Sequence, residues 1–301
     1  MTTDLDAAYA ALRPRGVVRL LELARDEDLG PQRVDLASAA LLGPGEQGSY
    51  ALRARAAGIA AGIAAVPDLL AVYADKTTAP PSVRDGDSFS AGDTLLTLSG
   101  RSAAVLRVER PMLNLLSHLC GVATLTARFV AETAGTNAQI YDTRKTTPGL
   151  RALEKYAVLC GGGANHRLGL DDAAMFKDNH LAGIPAGRFT DELTRAAAAS
   201  RQAGARAVFV EADTPEQFAR VLDLPHGTVD VVLLDNMTND QIAAAVRARD
   251  AAGSAVALEA SGGVTLDTVR AIAQTGVDRI SVGAITHSAM PIDLGLDALT
   301  D

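Results

Sequence analysis

At 301 residues the chain exceeds the usual size of one domain, so two domains, or a barrel with an added layer, is the starting expectation. Apolar residues make up 48% and charged residues 21%, a balance that excludes a disordered chain and fits a packed core. A formal net charge of -8 with no stripe of Lys and Arg excludes a general nucleic-acid binder. The opening MTTDLDAAYAALRPRG has no basic stretch leading into an apolar run, so no secretory signal is expected, and residues 4–29 read as helical. Residues 58–73 are apolar but interrupted by Gly62, Pro67 and Asp68, too short for a membrane span. Cys120 and Cys160 both lie in apolar stretches without metal-type spacing, which suits a reducing, cytoplasmic location.

From residue 30 to residue 110 the pattern is mixed. A Pro/Gly-rich stretch gives way to alternating segments at residues 49–54 and 94–98, with turn signals at Asp85-Gly86 and Gly92-Asp93. This predicts an antiparallel sheet with helices on one side. Residues 112–133 follow as a long apolar-periodic run, one or two helices. Beyond it, strand-like runs fall at residues 138–141, 173–176, 207–210, 229–234, 256–258 and 279–282. Helical patterns separate the later ones at residues 215–222, 241–251 and 266–275. Such alternation predicts an α/β class with a parallel sheet covered by helices on its outer face. About six units fall short of a closed eightfold barrel, so an open or incomplete α/β barrel is expected. A doubly wound sheet is the alternative, weakened by the lack of a Gly-x-Gly-x-x-Gly turn after an early strand.

Polar residues stand at or just past the carboxyl ends of these runs: residues 142–145, residues 177–180, Glu211, Asp235-Asn236, residues 259–263 and Gly283. In parallel α/β folds those ends meet on one face, where ligands bind. The early half of this rim is cationic: Arg144, Lys145, His166, Arg167 and Lys177 sit among glycines within residues 141–180. A planar fork, a mobile point charge and a donor near neutral pH are what a small, multiply negative ligand needs. The later half supplies Glu211 and Asp235, then glycine turns at Ser261-Gly262-Gly263 and Val282-Gly283-Ala284. Glycine turns that open helices present backbone N–H groups to a phosphate, and acids beside such a cradle suit Mg2+ or ribose hydroxyls. Plainer readings are a solvated loop, an ordinary Gly-Gly turn, and a helix cap at Asp235-Asn236. The shared rim favours a site.

The same residues carry a resemblance. ERPMLNLLSHLCGVATLT (residues 109–126), DTRKTTPGLRALEKYAVLCGGGANHRLGL (142–170), KDNH (177–180), LLDN (233–236), EASGG (259–263) and VGAITHS (282–288) resemble, in the same order, the quinolinate phosphoribosyltransferase family. The similarity runs over residues 83–295. It implies an N-terminal α/β sandwich domain at residues 1–112 and an incomplete α/β barrel at residues 113–286. It also implies that the tail, residues 287–301, packs back on the first domain, and a homodimer in which each subunit completes the other's site. The implied reaction joins quinolinate to phosphoribosyl pyrophosphate with Mg2+, giving nicotinate mononucleotide, pyrophosphate and carbon dioxide in NAD biosynthesis.

Carried over position by position, the resemblance implies that Arg110 reaches the neighbouring subunit's quinolinate. Arg144, His166, Arg167 and Lys177 would surround the two carboxylates, with Thr143 and Lys145 lining the same pocket. Lys145 would also face the phosphoribosyl donor, and Lys145, Glu211 and Asp235 would be catalytic. Glu211 and Asp235 would hold ribose hydroxyls and Mg2+. Ser261, Gly262, Gly263, Val282, Gly283 and Ala284 would bind the 5-phosphate.

Two departures stand out. Glu27-Asp28-Leu29-Gly30 running into Pro31 matches the family's N-terminal signature only by half. Phe209 stands where the family has a Glu; by strand alternation it shares a face with Glu211, so an apolar group is expected beside the sugar site. Rival readings are a related phosphoribosyltransferase for another base, a barrel lyase with Lys145 or Lys177 as Schiff-base amine, and a silent ligand-binding scaffold. The cations of the NHR and KDNH motifs favour a dicarboxylate over a base with fewer charges.

Overall fold

The N-terminal apolar pattern folds as two helices, because Pro14 and Gly16 (φ 103) break it. α1 (Leu5–Leu12) and α2 (Val17–Leu29) are followed by α3 (Leu36–Leu41), β1 (Gln47–Ala54), β2 (Gly58–Ile59), α4 (Val66–Tyr73), β3 (Ser88–Phe89), β4 (Thr94–Arg101) and α5 (Ser102–Glu132). Then come β5 (Gln139–Tyr141), α6 (Arg151–Cys160), β6 (Ala174–Phe176), α7 (Asp178–Leu181), α8 (Phe189–Gln202), β7 (Val208–Ala212), α9 (Pro215–Leu222) and β8 (Val231–Asp235). α10 (Asn239–Ala251), β9 (Ala257–Ser261), α11 (Val269–Ala273), β10 (Arg279–Ser281), α12 (Ala284–His287) and β11 (Leu294–Ala298) complete the order. This is a computed structural model, and it describes residues 3–299 apart from Asp75 and Ala182.

The chain forms two compact units: Met1–Ala127 with Thr146–Gly162 and Ile285–Asp301, and Arg128–Lys145 with Gly163–Ala284. The division within α5 therefore falls between Ala127 and Arg128, not at residue 112 as expected from the sequence. That helix runs unbroken for 31 residues despite Pro111. Its apolar stripe continues past the proline, with Met112, Leu116, Leu119, Cys120 and Ala123 all buried, which ties the stretch to the first unit. Half of its apolar window is buried, as in an internal helix. α6 joins the same unit, where a side chain on Gly161 would collide with Ala123 and Thr126.

In the first unit β1 is the centre of an antiparallel sheet ordered β11-β1-β4. Leu52, Leu96 and Leu98 are wholly buried from it. β11 draws the chain from Ile285 onward onto this sheet; residues 300–301 of the expected tail and residues 1–2 of the expected first domain lie outside the described residues. Asp68 binds the Tyr9 hydroxyl (2.8 Å) and the Arg13 guanidinium (2.7 Å), joining the first helix to α4.

The second unit holds a six-stranded parallel sheet ordered β5-β10-β9-β8-β7-β6. From β6 to β10 each strand pairs with the next in sequence, while β5 pairs with the last strand rather than with β6. A doubly wound sheet would reverse direction from its first strand. This one runs round in a single sense and stays open between β5 and β6, the open α/β barrel arrangement. Ala173, Phe209, Val231 and Leu233 pack in its core.

Candidate active site

Strand register places the site. Glu211 on β7, Leu233 on β8, Glu259 on β9 and Arg279 on β10 pair in one row across four neighbouring strands. Asp235 and Ser261 pair two residues further along, on the same face. At these carboxyl ends a cavity of about 410 Å3 is lined by Thr143, Arg144, Lys145, His166, Arg167, Lys177, Glu211, Asp235 and Ser261. Met175, Leu233, Glu259 and Ser281 complete its wall.

The NHR segment is brought to this cavity by Asp142, a wholly buried carboxylate at the end of β5. One of its oxygens accepts the Asn165 amide and the other the His166 backbone N–H, both at 2.8 Å. His166 Nδ1 in turn accepts the backbone N–H of Arg167 at 2.7 Å. The Arg167 guanidinium donates to the Ala173 carbonyl (3.2 Å) and touches Met175 Sδ (3.5 Å). Burial, and then the neighbouring Arg144, lower the pKa of Arg167 from its ordinary value. Two guanidinium groups placed like this repel each other, and an anion between them relieves the repulsion. The Thr143 hydroxyl accepts the Lys145 N–H (2.9 Å) and so fixes the turn that carries Lys145. Lys177 forms an ion pair with Glu211, linking the cationic and acidic halves.

On the acidic side Glu211, Asp213 and Asp235 bring carboxylate oxygens within 4.8 Å of one another. Hard oxygen donors on a cavity rim fit Mg2+. Asp213 is missing from the sequence-based selection, although its spacing of two from Glu211 on an extended strand was a usable signal.

The glycine turns are placed differently from expectation. Ser261 lines the cavity, but Gly262, Gly263, Val282, Gly283 and Ala284 do not. The Val282 N–H already donates to the Tyr141 carbonyl (2.9 Å), knitting β10 to β5, so it is not available to a phosphate. Gly262 has φ 100, and a side chain there would run into Asn236, itself left-handed at φ 54. The Asn236 N–H donates to the Ser261 carbonyl at 2.9 Å. Glycine at 262 is thus demanded by the packing of two strand ends. Arg110 lines a separate cavity, of about 490 Å3, in the first unit with Glu27, Asp28, Asn114 and His118.

Phe209 shares the face of Glu211 on β7, as the alternation predicts. It is buried (3% exposed) one row deeper than Glu211, and it supports the His166 ring at a centroid distance of 4.5 Å. It therefore underlies His166 in the cationic half of the cavity. Glu259 was read only as part of the rim run at residues 259–263, with no role of its own, and Arg279 was passed over. Glu259 is wholly buried, 3.3 Å from His166 Nε2 and 2.8 Å from Arg279 Nε. Burial alone would raise its pKa, but His166, Arg279 and the Ser281 hydroxyl together hold it below the ordinary carboxylate value. An acid inside the apolar run AVALEAS was the signal, masked by the glycine turn that follows it.

Comparison with known proteins agrees with this layout. Residues 122–297 match the family model for the C-terminal domain of quinolinate phosphoribosyl transferase, and residues 35–120 match that for its N-terminal domain. The chain is 45% identical over 216 residues to a nicotinate-nucleotide pyrophosphorylase (carboxylating) of Mycobacterium leprae, covering 71% of this chain and 73% of the relative. It is 37% identical over 274 residues to a probable enzyme of the same name from Bacillus subtilis, covering 90% and 89%. The crystal structure of nicotinate-nucleotide pyrophosphorylase from Ehrlichia chaffeensis superposes with a TM-score of 0.82 at 34% identity, over 93% of this chain and 98% of that one. An open barrel with cations and acids on one rim, matched over both domains by sequence and by fold, makes this chain a member of the quinolinate phosphoribosyltransferase family.

Proposed function

We propose that the protein transfers the phosphoribosyl group of phosphoribosyl pyrophosphate to quinolinate with decarboxylation, forming nicotinate mononucleotide, pyrophosphate and carbon dioxide in NAD biosynthesis. The observation that carries this reading is the single cavity in which Arg144, Lys145, Arg167 and Lys177 face Glu211 and Asp235. Quinolinate is a pyridine with two adjacent carboxylates, and Arg144, Arg167 and Lys177 supply charge for both, with Thr143 and His166 shaping the pocket. Lys145 faces the phosphoribosyl donor, and Ser261 lies on the side of its 5-phosphate.

Breaking the bond from ribose C1 to pyrophosphate builds positive charge on the sugar. Glu211 and Asp235 offset that charge within a confined site. The pyridine nitrogen attacks C1, and the ring becomes cationic. Its positive charge stabilises the electron pair left when the adjacent carboxylate departs as carbon dioxide, and that carbon then takes up a proton. Orientation of the two bound substrates is the main contribution of the basic side chains. Glu211, Asp213 and Asp235 would hold Mg2+, whose chemistry there is neutralisation of pyrophosphate charge. Lys177 is partly exposed and paired with Glu211, not set in the apolar niche that a Schiff-base lyase needs. The same reading takes the protein as a homodimer in which Arg110 completes the neighbouring subunit's site.

The test is direct. Protein incubated with quinolinate, phosphoribosyl pyrophosphate and Mg2+ should release carbon dioxide and nicotinate mononucleotide. Turnover of nicotinic acid or another base in place of quinolinate would refute the assignment.

A further inference from the structure

His166 has both ring nitrogens directed into the protein. Nδ1 accepts the Arg167 backbone N–H, so it carries no proton, and the proton of the neutral ring sits on Nε2. Nε2 faces Glu259 Oε1 at 3.3 Å, and Glu259 Oε2 faces Arg279 Nε at 2.8 Å. Neither approach has the geometry of a well-formed hydrogen bond; Arg279 and Glu259 form an ion pair, and the polar Nε2–H of the neutral ring faces the carboxylate. Arg279 is held in turn by the Tyr141 ring, 3.7 Å below its guanidinium carbon. Phe209 supports the His166 ring from beneath.

We propose that Glu259 and Arg279 are positioning residues for the dicarboxylate pocket, acting through His166 on Arg167. The proposal rests on the reading of that pocket as the quinolinate site. Arg279 neutralises the buried Glu259, so His166 need not become a cation to do so. Glu259 then holds the proton on Nε2, which leaves Nδ1 bare to receive the Arg167 N–H. That bond fixes the backbone of Arg167, and its guanidinium meets its anchors at Ala173 and Met175. Either a cationic ring or the opposite tautomer would set one N–H against another at Nδ1. The segment would have to shift, and Arg167 with it.

Two measurements test this on the intact enzyme. In the first, nitrogen-15 NMR of histidine-labelled wild-type protein, with the signal assigned by its loss in His166→Asn, should show a bare Nδ1 and a protonated Nε2. A protonated Nδ1, in either a cation or the other tautomer, overturns the proposal without any variant having to fold. In the second, Glu259→Gln and Arg279→Met should raise the quinolinate KM about tenfold, the size of one charge-assisted contact, with the phosphoribosyl pyrophosphate KM kept within about twofold. Arg279→Lys, which keeps the charge, should restore most of the quinolinate KM. Variants that lose thermal stability while the quinolinate KM stays unchanged would reduce both residues to structural ones and sink the idea. Wild-type protein that turns over no quinolinate would overturn the function instead, and the tautomer measurement would then decide the proposal alone.

Discussion

Arg144 and Arg167 stand in one cavity, where burial and then the neighbouring Arg144 disfavour the charge of Arg167, which is mostly withdrawn from water. Replacing Arg144 with Ala should therefore leave thermal stability undiminished while the quinolinate KM rises by about two orders of magnitude, the usual loss when one member of a buried charge contact is removed. Initial-rate kinetics and a melting curve check both halves; an unchanged quinolinate KM would remove Arg144 from the pocket. Asp213→Asn should raise the Mg2+ concentration needed for half-maximal rate severalfold, and an unaltered Mg2+ titration would exclude that residue from the acidic set. The cations were legible in the sequence because Arg, Lys and His among glycines are unusual in a chain of net charge -8. Glu259 and Arg279 were less so. Their partners come from other strands, and no local pattern reveals a cross-strand row.

At the scale of elements, alternation located the strands of the parallel sheet to within a few residues, because each is an apolar run bounded by turn residues. Where local signals conflict, the reading was weaker. The helical run was read from residue 112, whereas α5 begins at Ser102 and continues through Pro111, and of residues 261–263 only Ser261 is in the cavity wall. Gly262 instead serves the junction of β8 and β9. Gly262→Ala should cost about 1–3 kcal/mol, since a left-handed backbone is strained for any side chain and Asn236 blocks the space besides. A melting temperature equal to that of the parent would show that this turn relaxes at no cost.

At the scale of the whole molecule, the first unit is tied by long-range ion pairs and the second holds the cavity lined by cations and acids. In the first, Arg13, and after it the Tyr9 hydroxyl, hold the Asp68 carboxyl below the ordinary carboxylate range, in spite of its partial burial. Because the folded value lies below the unfolded one, this stabilisation is complete above about pH 5 and is lost as pH falls through the unfolded and then the folded value. Urea midpoints should drop between pH 5 and pH 3, and Asp68→Asn should flatten that drop; an equally steep drop in the variant would assign acid sensitivity elsewhere.

The assignment of Arg110 to a neighbouring subunit has a sharper test in subunit mixing. Take Arg110→Ala and Lys177→Ala, each inactive or nearly so, and let them exchange subunits. If Arg110 acts across a twofold interface, a mixed dimer has one cavity with both defects and one with neither. Random pairing in equal amounts makes half the dimers mixed, so activity should return to about a quarter of that of the parent. If Arg110 acts on its own chain's cavity, every site in the mixture keeps one defect and nothing returns. The outcome separates the two arrangements because Arg110 lines a cavity of the first unit while Lys177 lines one of the second. Recovery near a quarter fixes both the dimer and the direction in which the arginine reaches.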